Sequence, residues 1–154
     1  MSFRVRGLSP EPFRKYFAMS DEELRALGAR RVVADDNGFP CRVSLGHAKA
    51  GEELILLNFE HLPVESPYRS RHAIYVARDS REAFDGVDTV PEVMRTRLLS
   101  VRAFDRDHMI VDADVVEGKD AAALFERLLA NPEAEYLHVH NAKRGCYSAR
   151  VERA

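Results

Sequence analysis

Residues 136–147, YLHVHNAKRGCY, put two histidines, an arginine and a cysteine around one turn signal, Lys143-Arg144-Gly145. A three-residue loop with glycine in the left-handed position would close a hairpin pairing Ala142 with Cys146. In that register Tyr136, His138, His140, Cys146, Ser148 and Arg150 share one face, with His138 opposite Arg150 and His140 opposite Ser148. Leu137, Val139, Tyr147, Ala149 and Val151 share the apolar other face. Histidines two apart on a strand lie roughly 7 Å apart at the backbone, close enough to share a metal or an anion. The plainer alternative is a solvated sheet face on which the rings pack flat. Cys146, after a glycine and near a histidine, could act as a thiolate, against the commoner outcome of a buried, inert cysteine.

A second polar cluster lies in residues 61–71, HLPVESPYRSR, stiffened by Pro63 and Pro67 and bounded by His61 and His72. Tyr68 and Arg69 with neighbouring serines suit a carboxylate or phosphate, because a guanidinium binds such groups through two parallel hydrogen bonds. Arginine can equally tie a long loop down. Asn58 and Glu60 interrupt an apolar strand just before this loop, where a buried polar group needs a partner.

These clusters need a scaffold, and the patterning supplies one. Residues 3–8 read as a strand, Ser9-Pro10 opens a helix to about Met19, and Ser20 with Glu23 forms a capping box for a helix ending at Gly28. Strands follow at 30–34 and 41–45 around the turn Asp35-Asp36-Asn37-Gly38. Residues 53–60 and 72–78 are apolar on both faces, as covered central strands are. Residues 97–104 and 109–117 alternate as a hairpin around Asp105-Arg106-Asp107. Asp120 caps a helix with Leu124, Phe125 and Leu128 on one side, stopped by Asn131-Pro132. Its place between two strands permits one crossover. The expected class is α+β: a mixed, largely antiparallel sheet with two short N-terminal helices and one helix before the C-terminal hairpin.

The 154 residues fit a single domain, 1–154. A net charge of -2 with interleaved signs provides neither a basic stripe for nucleic acid nor a polybasic membrane surface. MSFRVRG has arginines where a signal peptide needs an apolar stretch, so the expected location is cytoplasmic, with Cys41 and Cys146 as free thiols. Walker, Gly-x-Gly-x-x-Gly and Gly-x-Ser-x-Gly motifs are missing from the sequence.

FPCRVSL, GEELILLNFEHLPVESPYRSRHAIYV and HVHNAKRGCY together resemble a bacterial domain-of-unknown-function family, number 1203, from FRVRGLSPEPF at one end to RGCYSARVER at the other. That resemblance implies a bacterial single-domain protein and assigns no residue a role. Three readings therefore stay open. The leading one is a domain, enzyme or not, that binds a small anionic molecule through Tyr68, Arg69, His72, His138, His140, Arg144 and Cys146, with no metal ligands assigned and the cofactor unknown. The second is a metal-dependent enzyme using His138 and His140, with a third ligand from His61, His72 or an acidic residue. The third is a structural or interaction module, such as a homodimer formed through a sheet edge.

Overall fold

The computed structural model describes residues 1–36 and 38–154, so Asn37 of the expected turn lies outside the described residues. Six antiparallel strands make the larger sheet: β1 (Phe3–Arg6), β7 (Asp85–Val87), β8 (Leu98–Phe104), β9 (Ile110–Glu117), β10 (Tyr136–Asn141) and β11 (Tyr147–Arg153), in the order β7-β1-β11-β10-β8-β9. A second sheet holds β2 (Arg30–Val33), β5 (Glu53–Leu62) and β6 (Ser70–Ala77), with β5 central. The short pair β3 (Phe39–Pro40) and β4 (His47–Ala48) lies between β2 and β5 in sequence, and an isolated parallel bridge joins Cys41 to Tyr75. The chain is thus α+β, as its patterning indicates.

Two short helices, α1 (Arg14–Phe17) and α2 (Asp21–Ala26), lie between β1 and β2. The capping box on α2 is complete: the Glu23 backbone N donates to Ser20 Oγ at 3.1 Å, and Glu23 Oε1 accepts from the Ser20 backbone N at 3.2 Å. A further one-turn helix, α3 (Glu92–Arg95), has no apolar period long enough to be read from sequence. Helix α4 (Ala121–Leu129) links β9 to β10, which run parallel with β8 between them, and it packs across this sheet. Its Leu124, Phe125 and Leu128 meet Val101, Leu137, Val139 and Val151 in one core, while α2, β5 and β6 build a second around Leu24, Ile55 and Val76. None of the described helices is long and apolar enough to cross a membrane.

Four local expectations need correction. Residues 41–45 form a turn, not a strand: Leu45 N bonds Cys41 O, while Arg42 N goes to Tyr75 and Val43 O accepts from Phe84. Their apolar alternation reflects a buried coil segment whose backbone bonds are shared among neighbours. Asp120 sits at the start of α4 but makes no side-chain cap bond, because its carboxylate is held by Lys119 at 2.8 Å. His61 belongs to β5, not to the loop, which shortens to residues 63–69.

The fourth concerns the terminal hairpin. Ala142 N donates to Leu98 O on β8, so it is not free to pair with Cys146. The loop therefore closes one residue earlier, by Asn141 N to Cys146 O at 2.9 Å and Gly145 N to Asn141 O at 2.7 Å. A bulge follows: Val139 pairs with Ala149 but His140 pairs with Tyr147, leaving Ser148 as the extra residue. That slip brings Tyr147 onto the histidine face, while His138 keeps Arg150 opposite, as the register read from sequence has it.

Candidate functional site

The histidine face is covered rather than solvated, with His138 and His140 each only 3% exposed. β5 does the covering. Its His61 ring lies 4.9 Å from His140 and 6.1 Å from His138, and it stacks on Tyr147 with 2° between planes at 5.1 Å. Tyr147 also presents its ring to His138 and His140, at 5.0 and 5.8 Å. One ring nitrogen from each histidine lies within 4.8 Å of the other two. His140 Nδ1 donates to the Gly145 carbonyl at 2.9 Å, which leaves its Nε2 lone pair free. The buried Nδ1 atoms of His61 and His138 have no hydrogen-bond partner among the described residues.

Burial disfavours the imidazolium at each of the three. It brings His61 down to about 4, His138 to about 2 and His140 to about 3, with neighbouring rings and the Arg102 guanidinium adding to the effect. All three are therefore neutral near pH 7. Arg102 and Arg150 flank His138 on the adjacent strands, Arg150 over the Tyr136 ring at 4.0 Å and Arg102 bonded to Ser100 Oγ.

Behind the hairpin turn opens a cleft of about 550 Å³, lined among others by Arg42, Arg97, Asn141, Lys143, Arg144 and Cys146. Arg42 at its floor is 2% exposed. The buried turn that replaces the expected strand aims this side chain inward, where Nε donates to Tyr147 O at 2.8 Å, Nη1 to Pro40 O at 2.6 Å and Nη2 to Cys146 Sγ at 3.1 Å. Burial lowers its pKa, with the Cys146 sulfur opposing that. No carboxylate of the described residues pairs with it. Asn141 Nδ2 also donates to Cys146 Sγ, at 3.3 Å, and Asn141 Oδ1 is buried without a partner among the described residues.

Arg97 is a second guanidinium spent on neutral acceptors. It donates to Val93 O and to His47 Nε2, at 2.6 and 2.8 Å. Because arginine can only donate, His47 accepts at Nε2 and passes its own proton from Nδ1 to Glu92, 3.0 Å away. The hydrogen bond from His47 is the main reason the Glu92 carboxyl lies below its ordinary value.

A family model matches residues 38–153. The chain belongs to DUF1203, a family of proteins of unknown function. No curated protein and no solved structure shows significant similarity to it. The span matched in this DUF1203 chain holds the histidine trio and Arg42, Arg97, Asn141, Lys143, Arg144 and Cys146 of the cleft, whereas the cleft's Asp35 and helices α1 and α2 fall outside it.

The two clusters read from sequence are used differently. Arg144 and Cys146 line the cleft, and His138 and His140 form the trio. Arg69 is bound through Nε and Nη2 to the two oxygens of Glu60, both at 3.2 Å, so Glu60 anchors the loop while Asn58 is exposed. Tyr68 meets Phe104 edge-on at 6.0 Å, and His72 Nδ1 donates to the Ala73 carbonyl. None of Tyr68, Arg69 and His72 lines the cleft. Cys41 is core, with Sγ 2.9 Å from Ser80 Oγ, and both cysteines are free thiols. Sequence reasoning missed Arg42, Arg97 and Asn141. A lone arginine between apolar residues, as in Cys41-Arg42-Val43, was the only available signal for the first, and the other two carried none.

Proposed function

We propose that this protein binds a small anionic molecule, a carboxylate or phosphate, in the cleft between the hairpin turn and the Arg42 segment. The observation that carries the reading is the buried Arg42 guanidinium, which keeps its charge and among the described residues donates to two carbonyls and a thiol. A charge taken out of water is costly unless an opposite charge answers it. Arg97 beside it likewise has no direct carboxylate bond among the described residues, and the exposed Lys143 and Arg144 line the cleft as well, together with Asp35 and Glu117. The buried Asn141 Oδ1 would take a hydroxyl or protonated group of the ligand. Free thiols are in keeping with a cytoplasmic setting. On this reading Arg144 and Cys146 remain in the binding set, while Tyr68 and Arg69 serve the loop.

The test is a thermal-shift panel of inorganic phosphate, phosphomonoesters and di- and tricarboxylates, followed by calorimetry of any hit on wild type, Lys143→Ala and Arg144→Ala. At least one anion should raise Tm above its matched chloride control, and each rim variant should weaken it roughly three- to tenfold, more so at low salt. A panel without a hit, or binding indifferent to both rim charges, would remove the cleft as an anion site.

A further inference from the structure

The histidine trio makes a second site, separate from the cleft and independent of what the cleft binds. We propose that His61, His138 and His140 hold a first-row divalent metal ion of the zinc class through one ring nitrogen each, with a fourth position left for an anion.

Three features distinguish the trio from histidines that merely fill space. The first is convergence from two sheets. His138 and His140 are two apart on β10, and the third nitrogen comes from β5 across the interface, so that one atom of each lies within 4.8 Å of the others. A tetrahedral ion about 2.0 to 2.1 Å from each nitrogen would draw these atoms closer by small ring rotations.

The second is hydrogen bonding. Buried polar atoms are nearly always paired, yet two of the three rings have a buried Nδ1 with no partner among the described residues. The remaining ring does what metal-bound histidines do: its Nδ1–H donates to a backbone carbonyl, fixing the tautomer that turns the other lone pair outward.

The third is the frame. Tyr147 stacks flat on His61 and meets both other rings at 61° and 79°, and Phe104 packs at 65° against His138. The rings are thereby held by apolar and aromatic walls, and no thiolate or carboxylate of the described residues joins the set. Imidazole alone suits zinc, copper, nickel or iron rather than magnesium or calcium.

Charge decides the fourth ligand. Three neutral imidazoles leave a divalent ion fully charged, and the cations near it are Arg102, which bears on all three rings, and Arg150, which bears on His138. An anion at the open position would answer both the metal and Arg102, whose one side-chain hydrogen bond among the described residues is to Ser100. His61 is only partly buried, whereas the other two are sealed, so entry is from the His61 side. Three protein nitrogens with an open position is the arrangement of catalytic rather than structural zinc.

The experiment uses full-length protein without a histidine tag. Elemental analysis after purification, and Co²⁺ and Zn²⁺ titration after chelation, should give one ion per chain and a visible cobalt spectrum of low coordination number. His61→Ala, at the most exposed of the three, should keep the wild-type circular dichroism and lose affinity by more than the roughly 10- to 100-fold typical of a lost supporting hydrogen bond. Azide should perturb the cobalt spectrum in wild type and less in Arg102→Gln. Absence of stoichiometric binding, or equal binding by wild type and His61→Ala, overturns the site. A cobalt spectrum indifferent to azide overturns the open position.

Discussion

A guanidinium sealed from water keeps its charge, and among the described residues Arg42 has two carbonyls and a thiol to set against it. Those bonds do structural work as well, because Pro40 O and Tyr147 O would otherwise be buried acceptors. Arg42→Met preserves most of the volume and removes the donors to both carbonyls, so it is expected to cost about 2–6 kcal/mol, the sum for two unsatisfied groups. Arg42→Lys should recover little, since one ammonium cannot serve three acceptors laid out for a planar fork. Urea unfolding with an unchanged m-value reads this directly. Equal midpoints for Arg42→Met and wild type would mean that burying the charge costs as much as its bonds return.

Elements aim these side chains, and the hairpin turn is the one that matters most. Gly145 has φ +80° and open space around its Cβ position, so a side chain there meets conformational strain alone. Gly145→Ala should lose about 1–2 kcal/mol, and Gly145→Asn less, because asparagine tolerates the left-handed region better. Gly118, between β9 and α4, is the opposite case: a Cβ would stand 1.7 Å from Met94 O. Gly118→Ala must displace backbone and is expected to cost about 3 kcal/mol or more, with no rescue by asparagine. Thermal unfolding of the alanine and asparagine variants at both positions separates strain from collision. The same elements show what was legible. Gly145, the capping box at Ser20 and Glu23, and the β8–β9 hairpin all rest on local rules and could be read directly. The bulge at Val139 and His140 could not, because it arises when β8 claims the Ala142 amide. His138, His140, Arg144 and Cys146 were visible as unusual residues in a strand and turn. Arg42 and the placement of His61 depend on how two sheets dock, which no local pattern encodes.

At the scale of the whole molecule, docking the two sheets confines three imidazoles in one layer, and this makes stability depend on pH in a distinctive window. An unfolded histidine titrates near 6.5. In the fold, burial holds His61 to about 4, His138 to about 2 and His140 to about 3. Between these values and 6.5 the unfolded chain binds more protons than the folded one, so the contribution is complete above 6.5 and is lost as pH falls. Each histidine adds at most about 1.4 kcal/mol per pH unit, with a smaller share for partly exposed His61. The depressed carboxyls of Glu60 and Glu92 join only below about 4.5, where unfolded glutamates begin to protonate. The interval from pH 6 to 5 therefore isolates the trio in chelator-treated protein, and from 6.5 down to 4 the three together remove at most about 10 kcal/mol, comparable with a domain stability of order 5–15 kcal/mol. Urea midpoints at half-unit steps should fall steeply there, and His138→Gln should flatten the slope by close to one proton. A midpoint level from pH 7 to 5 would mean that the rings take up protons in the folded state, and the sheets would then not seal the layer as described. Stoichiometric zinc should raise the midpoints across this interval without changing their slope, because the folded rings hold no protons for the metal to displace until pH falls toward 4.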